Sequence, residues 1–171
     1  MMMKNVEIID NFLPIKDFKK IQSEVLGADF PWFFKKEKAY AGPEIKGEFE
    51  NVQFVHMVQK LDGEKSFAYK MFLPVFEKLK IKEIIKAKLN LTTRIQSHRT
   101  YGFHIDTIKK GKTAIFYLNN NNGVTAFEKE NTHIESVENR LIIFPTNIYH
   151  SGVTHADVYR RVVLNINYME E

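Results

Sequence analysis

The sequence contains no cysteine, which excludes disulfide bonds and thiolate metal sites. Any metal site must therefore be built from histidine and carboxylate side chains. Long apolar runs are also missing, because none approaches the roughly 18 residues that a membrane-spanning helix needs. The first seven residues lead directly into a strand-like stretch and contain no apolar secretory segment. We therefore expect a cytoplasmic protein of a reducing compartment that does not enter a membrane.

Arginine is the scarcer basic residue: only five of the 25 basic side chains are arginine, and the net charge is +4. No lysine- or arginine-rich block exceeds two or three residues, so the charge pattern is typical of a solvated surface and does not favour binding to nucleic acid. Two of the five arginines, Arg160 and Arg161, are adjacent and precede the last strand-like segment. This position makes them candidates for a specific role.

The 171 residues are enough for one domain, spanning residues 1–171, with its own hydrophobic core. No repeat or linker divides the chain. A helix is predicted from Pro14 to Gly27, because apolar residues recur there at helical spacing after a proline that suits a first turn. A second helical pattern covers residues 66–79 and contains Pro74, which should kink or interrupt it. Residues 30–50 are rich in aromatic residues, lysine, proline and glycine, which predicts a long loop.

From Lys82 onward the apolar residues recur at every second position, which is typical of half-buried strands. About eight short strands are predicted, with a turn at Asn122 and Gly123. They are Val52–Gln59, residues 82–91, Lys112–Asn119, Val124–Phe127, His133–Val137, Leu141–Phe144, Ile148–His150 and Arg161–Tyr168. Two helices followed by many short strands predict an α+β chain whose strands form a sandwich or a jelly-roll barrel.

His104 and Asp106 are the local part of a candidate metal site. Residues two apart on an extended segment point to the same side, so the imidazole and the carboxylate can meet one ion. His150 ends a predicted strand 46 residues later and is the candidate third ligand. Two histidines and one carboxylate leave three coordination positions open, which is the facial arrangement of non-haem iron(II) oxygenases.

The other histidines offer weaker alternatives. His133 and Glu135 repeat the spacing of a histidine two residues before a carboxylate, but they lie in a weak strand after a polar turn. His98 and His155 fall in predicted loops, where we expect solvated side chains. His56 falls in an alternating strand, where it either packs in the core or faces a substrate.

Arg161 opens an alternating strand, and an arginine can bind a carboxylate through two parallel hydrogen bonds. A 2-oxo acid with a second carboxylate needs a buried cation of this kind. Tyr117 lies on the predicted strand Lys112–Asn119, on the same face as Thr113 and Ile115, so its hydroxyl can point inward beside the arginine. Taken alone, Tyr117 is equally well explained as a core aromatic residue.

The segment from about Leu89 to Tyr168 resembles the 2-oxoglutarate- and Fe(II)-dependent dioxygenase superfamily, and within it the prolyl 4-hydroxylase-like branch. The resemblance rests on the order and spacing of several motifs. They are Gly102-Phe103-His104-Ile105-Asp106, Phe116-Tyr117-Leu118-Asn119, Asn122-Gly123, Arg140-Leu141-Ile142-Ile143-Phe144-Pro145, Tyr149-His150-Ser151-Gly152 and Arg161. One departure is the single Gly123 in a turn where the family commonly has a pair of glycines.

The resemblance implies a double-stranded β-helix, or jelly-roll, with supporting N-terminal helices. It implies that Fe(II) is the metal and that 2-oxoglutarate and O₂ are co-substrates. The implied metal ligands are His104, Asp106 and His150. Arg161 and Tyr117 would bind the distal carboxylate of 2-oxoglutarate. Arg160 competes for this role, but only Arg161 puts the apolar residues that follow in the family's register.

The same resemblance implies a reaction that couples decarboxylation of 2-oxoglutarate to hydroxylation of a substrate, with a prolyl residue in a peptide or protein as the first expectation. The loop over residues 30–50 is expected to cover the substrate, with Trp32, Tyr40 and His56 as candidate contacts. Oxidative demethylation of nucleic acid is an alternative, although Asn167 stands where that branch usually has a second arginine. A non-catalytic, cupin-like metal-binding barrel is another.

Overall fold

The computed structural model describes residues 5–36, 52–129 and 132–170. The described helices are α1 (Ile15–Val25), a 3₁₀ helix (Phe67–Phe72) and α2 (Leu73–Lys78). The described strands are β1 (Glu7–Ile9), β2 (Phe33–Lys35), β3 (Gln53–Gln59), β4 (Ile81–Thr93), β5 (Lys112–Tyr117), β6 (Asn121–Phe127), β7 (Thr132–Ser136), β8 (Leu141–Pro145), β9 (His150–Gly152) and β10 (Arg160–Glu170). None of the described helices has the length and hydropathy that crossing a membrane requires.

The described strands form two antiparallel sheets. The larger sheet has the order β1-β8-β5-β10-β4-β3-β2, and the smaller sheet has the order β7-β6-β9. β10 lies at the centre of the larger sheet, where it pairs with β4 and β5. The segment before β5 extends the smaller sheet through isolated bridges that join Thr100 to Val153 and His104 to His150. The predicted α+β class with a jelly-roll core is confirmed.

The two faces of the larger sheet belong to different hydrophobic clusters. On β10, the even-numbered residues from Val162 to Tyr168 pack with the helices in the main core. The odd-numbered residues from Arg161 to Asn167 point to the opposite face, because successive side chains on a strand alternate. There Val163 joins a second cluster with Phe127 and Ile134 of the smaller sheet. The strand therefore separates a helix-covered core from the space between the sheets.

The helices follow the expected patterns. In α1, Phe18, Ile21 and Val25 are buried, as the helical spacing predicts. The second helical pattern is interrupted where a proline was expected to interrupt it, since a 3₁₀ helix ends at Phe72 and α2 begins one residue later. Pro74 lies in the first turn of α2, where its missing N–H leaves no hydrogen bond unmade.

Three local predictions are wrong. β2 lies inside the region predicted to be a loop, and it forms by pairing with the distant strand β3. Asn122 and Gly123 lie within β6 rather than in a turn, because a register shift against β7 absorbs the extra residues. His150 begins β9 instead of ending a strand.

Asn139 ties the N-terminal segment to the larger sheet. Its side chain accepts a hydrogen bond from Leu13 N at 2.9 Å and donates one to Leu13 O at 2.8 Å. Its backbone oxygen also accepts from Phe12 N at 2.8 Å. The residue is buried and has a φ of 60°, a region that asparagine tolerates better than most residues. Asparagine therefore fits the positive φ of this position and also binds the backbone N–H and carbonyl of Leu13.

We expect Asn139→Ala to lower the free energy of unfolding by about 2–4 kcal/mol, because two buried backbone groups lose their partners and alanine is strained at positive φ. Asn139→Gly removes the strain but not the loss of hydrogen bonds, so its effect should be smaller. Chemical denaturation measures both changes, with Asn147→Ala at an exposed position as the control. An effect of Asn139→Ala no larger than that of the control would contradict this role.

Candidate metal centre and adjoining cavity

His104, Asp106 and His150 converge in the space between the two sheets. The backbones of His104 and His150 form a reciprocal bridge, in which each N–H donates to the other residue's carbonyl at 3.0 Å. The bridge sets the two imidazoles side by side, with ring centroids 5.0 Å apart. One ligand atom from each of the three residues lies within 4.8 Å of the other two. In residues 5–36, 52–129 and 132–170 no other group of histidine and carboxylate side chains meets this condition.

A backbone carbonyl two residues earlier orients each imidazole. His104 Nδ1 lies 3.0 Å from Gly102 O, and His150 Nδ1 lies 3.1 Å from Ile148 O. A carbonyl only accepts hydrogen bonds, so each Nδ1 carries a hydrogen and Nε2 is the ring nitrogen that faces Asp106. The Nε2 atoms lie 3.6 Å and 3.5 Å from the carboxylate oxygens. Two imidazole nitrogens around a carboxylate are favourable when a cation, either a proton or a metal ion, lies among them, which is the electrostatics of a metal site.

Two asparagines of β10, which sequence reasoning missed, hold Asp106 in place. Asn165 Nδ2 donates to Asp106 Oδ2 at 2.8 Å, and Asn167 Nδ2 donates to the same oxygen at 3.2 Å. Burial raises the pKa of Asp106, but the contacts with the two histidines and Asn165 outweigh burial and hold the pKa well below its usual range. The carboxylate is therefore ionised and oriented. The alternation of β10 was the available signal, because it places both asparagines on the same face as Arg161.

Arg161 lies buried between the sheets and is only 7% exposed. Its Nε donates to Ser136 Oγ at 3.0 Å and its Nη2 to Thr125 Oγ1 at 3.3 Å. The guanidinium lies 5.7 Å from the ring centroid of Tyr117, whose hydroxyl is 2.7 Å from Thr125 Oγ1.

Burial lowers the pKa of Arg161, but a guanidinium remains charged in proteins. Among the described residues no carboxylate forms an ion pair with Arg161. A buried cation with only neutral partners is costly, so this position favours an anion supplied by a ligand.

Gly123 of β6 allows the arginine to lie this close to the smaller sheet. A Cβ atom at this position would lie 3.1 Å from Arg161 Cδ and 2.9 Å from Val153 O. The second atom belongs to the backbone and cannot move aside cheaply. The single glycine in this part of the sequence therefore has a steric role beneath the arginine side chain.

Arg160 points to the other face of β10. Its Nη2 donates to Leu26 O at 2.6 Å, directly after α1, where a cation is favourable at the carboxyl end of a helix. Arg160 pairs with Thr93 and Arg161 with Thr92 on β4, so strand alternation separates the two side chains. Arg161, rather than Arg160, lines the space between the sheets.

A cavity of about 240 Å³ contains both the histidine–aspartate cluster and Arg161. Its lining also includes Lys35 of β2 and two lysines of β4, Lys86 and Lys88. In the described lining Asp106 is the only acidic side chain, so this described part of the lining is electropositive. A larger open groove of about 700 Å³ lies beside α2 and the start of β4, but its described lining contains no histidine.

Lys88 lies directly across from Asn165 in the pairing of β4 with β10. Burial lowers the pKa of Lys88 to about 8, and the charges of Lys86 and Lys35 act in the same direction, whereas Asp106 opposes them. The protonated amine is therefore held in an unfavourable environment at neutral pH.

His56, a predicted substrate contact, does not line this cavity. Its ring nitrogens lie 2.9 Å from Pro31 O and 2.9 Å from Ser66 Oγ. On β3 it pairs with Leu89 of β4, which is buried in the main core, so His56 faces the helices and not the space between the sheets. The histidine is a packed residue.

Trp32 also lies away from the cavity, because it packs against Phe30 at the main core. Tyr40, with most of the loop expected to cover the substrate, lies outside the described residues. From the predicted loop, the structure brings Lys35 to the cavity.

The remaining histidines divide into exposed and buried ones. His133 is exposed on β7 and belongs to no metal-capable group among the described residues. His98 is exposed as expected, with Nδ1 2.9 Å from Thr154 O. His155 is fully buried, so the expectation of a solvated histidine is wrong. Its loop packs against the end of β4, where Ile95 N donates to His155 O.

We expect Lys88→Met to raise the free energy of unfolding by about 2–3 kcal/mol at pH 7, because a lysine whose pKa falls to about 8 destabilises the folded state while it is charged. Between pH 8 and the usual lysine pKa of 10.5, the unfolded chain binds this proton and the folded chain does not. The free energy of unfolding of the parent protein therefore rises with pH in this window, and the difference between variant and parent becomes smaller. Chemical denaturation of both proteins at pH 7 and pH 10 measures this difference. A difference that is the same at both pH values would contradict the burial of the Lys88 charge.

Comparisons with known proteins extend the description of the fold. No protein-family profile matches the sequence, and no curated protein sequence matches it. Many solved structures are similar to this chain, including three that cover nearly all of it. A prolyl-4-hydroxylase from Pseudomonas putida has a TM-score of 0.61 and 14% identity, covering 98% of this chain and 93% of that one.

An oxidoreductase of the 2OG-Fe(II) oxygenase family from Burkholderia pseudomallei has a TM-score of 0.66 and 10% identity, covering 98% and 86% of the two chains. A prolyl hydroxylase from Trichoplax adhaerens, in complex with a hypoxia-inducible-factor peptide fragment, has a TM-score of 0.64 and 16% identity, covering 98% and 84%. The protein therefore has the jelly-roll fold of the 2-oxoglutarate- and Fe(II)-dependent oxygenases.

Proposed function

We propose that the protein is an oxygenase that couples oxidative decarboxylation of 2-oxoglutarate to hydroxylation of a substrate. One observation carries this proposal: a buried arginine without an anionic partner in the described chain shares a cavity with a two-histidine, one-carboxylate cluster. Each feature alone has other uses, since zinc sites also combine two histidines with a carboxylate. Together they provide side chains that can hold a metal ion and a cation that can bind a carboxylate, so that one small molecule can contact both.

The donor set fits Fe(II). Two neutral imidazoles and one ionised carboxylate suit non-haem iron, and three protein ligands leave positions open for substrates. The proposed ligands are His104, Asp106 and His150. Hydrogen bonds fix all three, because backbone carbonyls orient both imidazoles and asparagine amides orient the carboxylate.

The surroundings of Arg161 fit the distal carboxylate of 2-oxoglutarate. The guanidinium offers a planar pair of donors that matches a carboxylate. The hydroxyls of Ser136 and Thr125 already contact it, and Tyr117 lies beside it. These groups bind an anion without adding a negative charge of their own. A ligand anchored here can extend along the cavity towards the metal ligands.

Bound Fe(II), with O₂ and 2-oxoglutarate, supplies the oxidising chemistry, with succinate and CO₂ as the products of the co-substrate. The protein's own residues orient the metal ligands and the co-substrate and shape the space around them. Asn165 and Asn167 would hold Asp106 towards the ion through their hydrogen bonds, and Arg161 would fix the far end of the co-substrate. The apolar cluster of Val163, Phe127 and their neighbours makes one side of the space between the sheets apolar, which disfavours water there.

A prolyl residue in a peptide or protein is the proposed substrate. Support comes from the prolyl hydroxylases among the similar structures, one of them in complex with a peptide. Demethylation of nucleic acid fits the site less well, because Asn167 is engaged with Asp106 and Thr113 where that branch uses a second arginine. A cupin-like binding barrel has no need of the buried Arg161. Succinate formation from 2-oxoglutarate, with proline peptides, free amino acids and methylated DNA as substrates, tests the three alternatives.

We expect His104→Ala or Asp106→Ala to abolish stoichiometric Fe(II) binding, because two remaining donors do not make a stable site. Anaerobic titration calorimetry measures binding, and circular dichroism checks that the variants fold. His133→Ala, at an exposed histidine of β7, is the control and should bind normally. Loss of Fe(II) binding in His133→Ala, together with normal binding in His104→Ala, would show that His133 and Glu135 hold the metal instead of His104 and Asp106.

We expect Arg161→Ala to weaken 2-oxoglutarate binding by more than tenfold, since removing one partner of a buried charged pair costs about 2–5 kcal/mol. Equilibrium binding of 2-oxoglutarate measures this change, and Fe(II) binding should persist. Arg160→Ala is the matched control, because the adjacent arginine points to the other face of β10. Equal weakening by Arg160→Ala, with Arg161→Ala silent, would reverse the assignment.

A further inference from the structure

The cavity contains a second cationic group, formed by Lys35 of β2 with Lys86 and Lys88 of β4. We call it the lysine cluster. Lys86 and Lys88 lie on the face of β4 opposite to Leu89, which is buried under the helices, because side chains alternate along the strand. All three lysines line the cavity that contains the proposed metal ligands. The cluster therefore faces the reaction site rather than the outer surface of the sheet.

The lysine cluster has no anionic partner in the part of the chain that the structure describes. None of the ion pairs formed there includes Lys35, Lys86 or Lys88. Asp106, the acidic residue of the lining, is already engaged by two histidines and two asparagines. Like charges held together in a partly buried cavity repel one another, and a negatively charged ligand removes this cost.

The proposed co-substrate has no carboxylate left for the lysine cluster. On the paired strands β4 and β10, Thr92 is opposite Arg161 and Lys88 is opposite Asn165, so the two cationic positions are four residues apart. A diacid held by Arg161 at one carboxylate and by the metal at the other has no further negative charge for the lysines.

The charges of the cavity with metal and co-substrate bound also leave the lysines uncompensated. A divalent metal ion and a dianionic co-substrate cancel each other, and Asp106 cancels the charge of Arg161. Among the described residues of the cavity, the three charges of the lysine cluster remain. The position of Lys88 opposite Asn165, which holds Asp106, sets this remaining charge one strand away from the metal ligands.

We propose that the lysine cluster binds an acidic group of the substrate next to the position that is oxidised. The inference rests on the proposed function and names its substrate class, a peptide or protein segment with a carboxylate or a phosphate beside the reacting residue. A substrate chain bound over the metal ligands places its neighbouring residues over β4, since adjacent strands lie only about 4.8 Å apart. The acidic group then lies between the ammonium groups of Lys86 and Lys88.

Matched ten-residue peptides test this specificity. Each carries one central proline flanked on both sides by glutamate, phosphoserine, glutamine or lysine and is otherwise identical. We expect the glutamate or the phosphoserine peptide to have a KM at least about tenfold lower than the glutamine peptide, with the lysine peptide worst. The preference should shrink as salt is raised. Comparing glutamate with phosphoserine identifies which acid the cluster binds.

Variants assign the preference to the cluster. In Lys86→Gln/Lys88→Gln, the KM values of the acidic and glutamine peptides should converge. Lys88→Glu should favour the lysine peptide. Lys82→Gln is the matched control, because Lys82 is exposed on the same strand and lies outside the cavity. The control should keep the full preference for acidic peptides.

A binding measurement separates this inference from the proposed function. Fluorescence polarisation of the labelled peptides is measured on the metal-free protein and needs no turnover. If 2-oxoglutarate is decarboxylated but neither KM nor polarisation depends on peptide charge, the inference is overturned and the proposed function stands. An equal effect of Lys82→Gln also overturns it. If the protein neither binds Fe(II) nor forms succinate, the proposed function fails, while a lysine-dependent preference in polarisation still supports the anion site.

Discussion

The alternation of side chains along β10 is the constraint on which the rest of the structure depends. One face of this central strand is apolar and packs under the helices, and the other face carries Arg161, Asn165 and Asn167. A slip of one residue would put the apolar side chains into the cavity and the polar ones under the helices, where no partner is available. The hydrophobic core therefore fixes the register of β10. That register in turn positions both the cationic anchor and the amides that hold the candidate metal-binding carboxylate.

Stability and site chemistry come from different faces of the same sheet. Completely burying a large apolar side chain contributes about 1.5–3 kcal/mol, and Phe18, Phe72 and Phe116 are each completely buried on the helix side. A buried charge costs several kcal/mol unless it is paired, and the cavity side contains Arg161 and Lys88, neither of which forms an ion pair with a described residue. The helix-covered core thus offsets a cavity that lowers stability, which is the distribution expected when a fold carries a ligand site on one face.

The parts of the fold and site that follow from spacing along one strand are predictable from the sequence. The half-buried strands, the pairing of His104 with Asp106, and the choice of Arg161 over Arg160 all rest on two-residue alternation. His150 instead follows from the order and spacing of motifs along the chain. Contacts between distant segments are not predictable in this way. The hydrogen bonds of Asn139 join residues 126 positions apart. Asn165 and Asn167 are intermediate, since alternation gives their face but not the partner that they reach 59 and 61 residues away.

The polar contacts of the cavity also connect the two sheets. His104 and His150 are joined through the smaller sheet, whereas Asp106 is held by amides of β10 in the larger sheet. Arg161 makes a second link, because it reaches from β10 to hydroxyls of β6 and β7. A metal ion shared by His104, Asp106 and His150 would join the two sheets at the metal site. An anion bound to the guanidinium of Arg161 would strengthen the link that this arginine makes. Ligands that bind the folded state stabilise it, so binding at these points and closure of the sandwich are thermodynamically coupled. The same buried charges that oppose folding of the free chain are therefore the ones through which its ligands would favour it.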